Sequence, residues 1–186
     1  MKHPMLDLIQ SRRSHRKYTS QQLTQPQLSA IMDAALASPS ANNRQPWHFS
    51  VVQDSVLLNR LSEQAAKGAM NRDSAQRSPR YDDPDFQVFY HAPTVVFLSA
   101  PRDLPIAMVD CGIAVYGMAL AAESLGLGSV ILGLPRDAFS GPNREELESA
   151  LHFPEGYGFV IALAVGHPAD EKAPPEKHPE KISIIR

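Results

Sequence analysis

The chain has 186 residues, 43% apolar and 20% charged, which excludes a mostly disordered protein and fits one globular domain. Its 18 basic and 20 acidic residues leave a net charge of −2. Such a balance gives no general attraction to nucleic acid or an anionic membrane, so any anion site must come from a local cluster.

The first residues have no uninterrupted apolar run, so no secretory leader is expected and the cytoplasm is the simplest location. Met5, Leu8 and Ile9 share one face of a predicted helix over 3–13. It runs into the basic stretch Arg12-Arg13-Ser14-His15-Arg16-Lys17. Thr24-Gln25-Pro26-Gln27 is a capping box that opens a second helix, which stops near Ser38-Pro39. Residues 39–46 form a polar loop between two prolines, and 47–53 a strand that brings Trp47 into the core. Asp54 caps a helix over 55–67. The mixed stretch 68–90 is expected to be a mobile excursion.

Thr94 to Ala100 reads as a buried strand, and 104–125 as a buried central helix. Its one charge, Asp110, its Pro105 and its glycines argue against a membrane span. Gly126 supplies the left-handed stop. A strand over 129–132, a charged helix over 143–151 and a strand over 157–165 follow. Pro168, Pro174, Pro175 and Pro179 predict an extended arm over 167–186. One domain over 1–186, layered α/β or α+β, is expected. Cys111 is alone, so it forms no intrachain disulfide and reads as a small buried hydrophobe.

Three stretches stand out chemically. The basic run reads either as a phosphate clamp, with planar guanidinium donors and the Ser14 hydroxyl, or as a solvated helix end. In Ser38–Trp47, amides and hydroxyls suit the edge of a heterocycle with alternating C=O and N–H groups. The same residues also make an ordinary capped turn. Gly133, between Leu132 and Leu134 at a strand end, would let backbone approach a flat ligand. The glycine spacing fits neither a dinucleotide fingerprint nor a P-loop. The seven histidines have no helical pairing for a metal, and no nucleophile motif is present. A cofactor would have to carry the chemistry.

In this order the motifs resemble the FMN-dependent nitroreductase family. The segments are Arg12-Arg13-Ser14-His15-Arg16, Ser38-Pro39-Ser40 leading to Gln45-Pro46-Trp47-His48-Phe49, and Ala92-Pro93-Thr94-Val95-Val96. Further on come Asp110-Cys111-Gly112-Ile113-Ala114, Glu123-Ser124-Leu125-Gly126-Leu127-Gly128 and Gly166-His167-Pro168. The resemblance implies an α+β fold with a central, mainly antiparallel sheet surrounded by helices. It also implies an intertwined homodimer with FMN at the subunit interface.

Carried over, Arg12 and Ser14 would hold phosphate or ribityl oxygens with Arg13 beside them, and Arg16 would approach the pyrimidine edge. Ser40, Asn43 and Gln45 would come from the polar loop. Leu132, Gly133 and Leu134 would lie along the isoalloxazine, and Lys177 would complete the phosphate site from the tail. Two departures are visible: Lys177 stands where arginine is common, and Tyr116-Gly117 replaces a polar pair. The chain is short for the family, which implies an open substrate pocket. The implied activity is a ping-pong oxidoreductase: NAD(P)H reduces the flavin, and a nitroaromatic, quinone or similar small acceptor reoxidises it. The alternatives are enoate, azo or dehalogenation chemistry on the same scaffold, or a flavin carrier or sensor with little turnover.

Overall fold

The computed structural model describes residues 3–73, 75 and 77–186. Positions 1 and 2 of the leader reading, and 74 and 76 of the 68–90 stretch, lie outside them.

Among the described residues, nine helices and strands follow in chain order: α1 (Pro4–Ser11), α2 (Gln25–Leu36), β1 (His48–Val52), α3 (Ser55–Met70), β2 (Thr94–Pro101), α4 (Ala107–Ser124), β3 (Gly128–Leu132), α5 (Arg144–Ala150) and β4 (Tyr157–Gly166). Short 3-10 turns lie at Ala41–Asn43, Pro79–Asp82, Leu134–Ser140 and Pro179–Lys181. The expected cap on α2 forms in full. Thr24 accepts from the Gln27 amide, and the Gln27 side chain accepts from the Thr24 amide. Asp54 caps α3 through the Val56 and Leu57 amides.

The four strands form one antiparallel sheet in the order β1-β2-β4-β3. Side chains alternate between its faces, so β2 feeds two cores. Val95 and Phe97 pack with Leu58, Leu61, Ala65 and Phe89 on one side. Val96 and Leu98 pack with Ile31, Ala35, Ala114 and Met118 on the other. Burial on both faces explains why β2 reads as a continuous apolar run rather than an alternating one. The expected α+β fold, an antiparallel sheet between helical layers, is the one observed.

Several expectations need correction. α1 ends at Ser11, because Arg12 takes an extended conformation (φ −52°, ψ 131°). α3 runs on to Met70, where Gly68 and Ala69 are buried. The stretch 68–90 is not a loose excursion: Tyr81, Val88 and Phe89 are buried in the core, and its charged residues had masked these anchors. α4 is buried along one flank only. Ala107, Cys111, Ala114, Met118 and Ala122 are enclosed, while Met108, Val109, Ile113 and Tyr116 are exposed. Burial pushes the Cys111 thiol up to about 12, so it is inert at neutral pH.

Candidate functional site

After α1 the basic run crosses to the free edge of β3. Ser14 forms a parallel bridge with Ser129, and the His15 amide donates to the Ser129 carbonyl at 3.0 Å. Gly128 makes this crossing possible: a Cβ there would lie 2.9 Å from His15 Cγ and 2.8 Å from Pro168 Cβ. The tail returns beside the run. The Thr19 amide donates to the His167 carbonyl at 3.0 Å, and the Ala169 amide to the Lys17 carbonyl at 2.9 Å.

Among the described residues, the guanidinium groups of the run bond only to main-chain carbonyls. Arg12 Nη1 donates to Arg13 O at 3.1 Å, and Arg13 Nη1 to Gln10 O at 2.6 Å. Arg16 Nη1 reaches Ser14 O at 3.5 Å, and Arg16 Nε is buried with no partner. Among the described residues, no carboxylate pairs with any of these three side chains. Arg12, Arg13, Ser14 and Arg16 therefore line a hollow of about 230 Å³ with uncompensated charge, joined there by Lys172 from the tail. Lys177, five residues further along, is exposed and does not line it.

Asp170 binds tail and run together. Its carboxylate takes His15 Nδ1 at 2.7 Å, the Arg16 amide at 3.2 Å and Lys172 Nζ at 3.0 Å. Burial opposes its charge. The His15, Lys172 and Arg16 hydrogen bonds, with the Lys172 charge, outweigh that and hold the carboxyl below its ordinary range. Tyr18 donates to the His15 carbonyl at 2.7 Å; burial, then the Asp170 charge, push its phenol well above its usual value.

The polar loop closes on itself. Ser40 Oγ accepts from the Gln45 amide at 2.9 Å, and Gln45 Nε2 donates to Asn43 Oδ1 at 3.0 Å. Asn42, Asn43 and Gln45 have φ of 52°, 52° and 48°, a left-handed path that amide side chains tolerate better than most. Buried Asp110, in the first turn of α4, accepts from the Ala41 amide at 3.1 Å, and its second oxygen has no partner.

At the end of β3, Leu132 is buried and the Gly133 carbonyl accepts from Arg136 Nε at 3.0 Å. Gly133 has φ −92°, which any residue adopts, so its role is room: Arg136 lies 2.8 Å from where a Cβ would sit. The Leu134 carbonyl accepts from the Tyr81 hydroxyl at 3.4 Å. Burial raises the pKa of nearby Asp137, against the opposing charges of Arg72 at 2.5 Å and Arg136.

Within one chain the structure gathers Arg12, Arg13, Ser14 and Arg16 but leaves Ser40, Asn43 and Gln45 elsewhere. The run sits where β3 begins, just beyond the C-terminal end of α4. The loop is held at the other end of α4, and it leads into β1, the opposite edge of the sheet. Asp110 to Ser124 spans roughly 21 Å at the helical rise of 1.5 Å per residue.

An antiparallel α+β protein with an open cationic hollow on a sheet edge is suited to a phosphate-bearing ligand. Residues 9–167 match the Nitroreductase family, and the chain belongs to it. The fold is similar to that of a nitroreductase with bound FMN from Desulfitobacterium hafniense, with a TM-score of 0.93 and 31% identity over 100% of both chains. It is 31% identical to an NAD(P)H FMN reductase of Bacillus subtilis, covering 91% of this chain and 68% of that one. It is 25% identical to an iodotyrosine deiodinase of Thermotoga neapolitana, over 98% and 96% of the two chains.

Sequence reasoning missed Asp170 and Lys172. No local pattern marks them, because His15, the partner of Asp170, lies 155 residues before it, and Lys172 is held through Asp170. The one available signal was two opposite charges at the start of the proline-rich arm.

Proposed function

We propose that this protein is an FMN-dependent NAD(P)H oxidoreductase that reduces nitroaromatics, quinones or similar small acceptors. The observation that carries the proposal is the hollow beside β3, where three guanidiniums and Lys172 meet without a neutralising carboxylate on the arginines. That donor set fits a phosphate dianion, which guanidinium forks bind through charge-assisted hydrogen bonds. The buried, unpartnered Nε of Arg16 fits an acceptor atom on a ligand.

Arg12, Arg13 and Ser14 would hold the phosphate, with Lys172 the tail cation placed nearest and Lys177 a second candidate. Asp170 offsets the Lys172 charge, with which it pairs at 3.0 Å, but among the described residues it makes no ion pair with the guanidiniums of Arg12, Arg13 or Arg16, so the arginines carry the net positive field. Arg16 would face the pyrimidine edge, stabilising the negative charge that grows there on reduction. Leu132, Gly133 and Leu134 would flank the ring. Bound FMN supplies the two-electron chemistry that no side chain of this chain provides.

The proposed working unit is a homodimer. With the loop and the run at opposite ends of α4, Ser40, Asn43 and Gln45 would reach a flavin held by the run of a second copy. The exposed apolar flank of α4 supports this, as do exposed Met5, Leu6 and Ile9 on α1, which packs beside α4. Ile182, Ile184 and Ile185 in the arm are exposed and would also find cover there. The one helix among the described residues that is long and apolar enough to cross a membrane, α4, packs against the sheet and α2, and the proposed location is the cytoplasm.

The test is the absorbance spectrum of purified protein, with extraction and mass identification of the chromophore, then NAD(P)H oxidation with a quinone or nitroaromatic. A flavin spectrum, FMN mass and ping-pong kinetics are expected. Failure to bind added FMN at micromolar concentration overturns the reading, and bleaching by NAD(P)H without acceptor turnover would favour a carrier. The end-to-end likeness to the deiodinase favours one second reading, reductive dehalogenation of an iodophenol. Iodide release from that substrate class tests it.

A further inference from the structure

The segment from Tyr81 to Tyr90 links the two chain stretches assigned to the flavin. Tyr81 donates to the Leu134 carbonyl at 3.4 Å. Its ring meets Phe86 edge-on at 5.5 Å, and Phe86 meets Tyr90 at 5.6 Å. The Arg16 and Arg80 guanidiniums both lie over the Tyr90 ring, with Cζ 5.9 and 5.8 Å from its centroid. Arg80 Nη1 donates to the Tyr90 hydroxyl at 2.5 Å.

The backbone is bent to place this ring. Tyr90 and His91 have φ of 56° and 55°, two consecutive left-handed residues without glycine. Such a path persists only when its surroundings enforce it. Here Val88 and Phe89 are buried anchors. Gln87 accepts from the Tyr90 amide at 2.9 Å through its carbonyl, and from the Phe89 and His91 amides at 2.6 and 3.2 Å through its side chain.

Arg16 needs such a support. Among the described residues its guanidinium makes one hydrogen bond, a long one at 3.5 Å, and its Nε has no partner. A carboxylate would hold it but would cancel its charge and occupy its donors. An aromatic face attracts the cation while leaving both available.

We propose that Tyr90 is a positioning residue that holds the Arg16 guanidinium ready for the electron-rich edge of the flavin. The inference rests on the reading of Arg16 given under Proposed function. The experiment is a double-mutant cycle on the FMN-loaded protein, with Tyr90→Leu and Tyr90→Phe made in wild-type and Arg16→Ala backgrounds. FMN dissociation constants are measured by FMN titration, and the reduction potential of bound FMN at saturating FMN.

Tyr90→Leu is expected to weaken FMN binding roughly threefold to tenfold, the scale of a cation–π contact, and to move the potential negative. Tyr90→Phe keeps the ring and most of both properties. In the Arg16→Ala background, Tyr90→Leu adds nothing further. An undiminished effect in that background overturns the proposal. So does a Tyr90→Phe variant that fails like Tyr90→Leu, or a Tyr90→Leu variant that matches wild type. If wild-type protein binds no FMN, the functional reading itself falls, an outcome distinct from these.

Discussion

The basic run at 12–16 and the polar loop at 40–45 are both rich in hydrogen-bonding side chains, yet they are assembled in opposite ways. The loop satisfies itself locally: Ser40, Asn43 and Gln45 bond among themselves, with one outside contact from Asp110. The run is assembled over long range, on β3 through Ser129 and on the tail through Asp170. Among the described residues its guanidiniums end without a carboxylate partner, so it keeps charge and donors to offer; in the loop the Asn43 and Gln45 amides engage each other, and its one cation is the exposed Arg44. A stretch that folds by local bonds was readable as a turn. A stretch that folds by distant bonds was readable only as a cluster of charge.

The sharpest way to test this contrast is to remove a charge from the run. Arg12→Ala is expected to weaken FMN binding by about 1.5–3 kcal/mol, the scale of a hydrogen bond to a charged group. Riboflavin, which lacks the phosphate, should bind the variant and the wild type alike. Titrations with both flavins check this; equal losses for the two would remove Arg12 from the phosphate.

The second effect is smaller and falls on the loop. Asp110→Ala leaves the Ala41 amide without its acceptor and should cost about 1 kcal/mol of stability in urea unfolding. The carboxylate's own unpartnered oxygen partly offsets the loss, because its burial is relieved. If the loop serves the flavin ring from a second copy, FMN and riboflavin should weaken together. A loss confined to FMN would instead tie the loop to the phosphate.

The legible parts of the molecule were those whose cause lies within a few residues. The Thr24 box and the Asp54 cap were visible because each side chain bonds an amide two or three positions on. β2 and β4 were visible because both are uncharged runs at the centre of the sheet. The burial of Tyr81, Val88 and Phe89 was not visible, since three anchors among charged residues give no period. The exposed flank of α4 was hidden for the opposite reason: a helix apolar all round does not announce which face the chain itself covers. At the site, the three arginines were legible as a group, and the tail residues that join them were not, because nothing local couples position 170 to position 15.

That coupling gives the finest prediction. The folded Asp170 carboxyl lies below its ordinary pKa, held there by His15, Lys172 and the Arg16 amide against the cost of burial. A carboxylate with a depressed folded pKa contributes stability above the unfolded value, about 3.9, and loses it as pH falls through the lower folded one. The link between tail and run should therefore hold at neutral pH and weaken only below about pH 4. Asp170→Asn removes this contribution, so the variant should be less stable than wild type at neutral pH. The gap should close as pH falls below about 4. Urea unfolding across that range measures it. In the variant, Lys172 loses its carboxylate partner, so FMN binding should be altered while riboflavin binding is not. A gap that stays constant with pH would mean that Asp170 supports the fold through shape rather than charge.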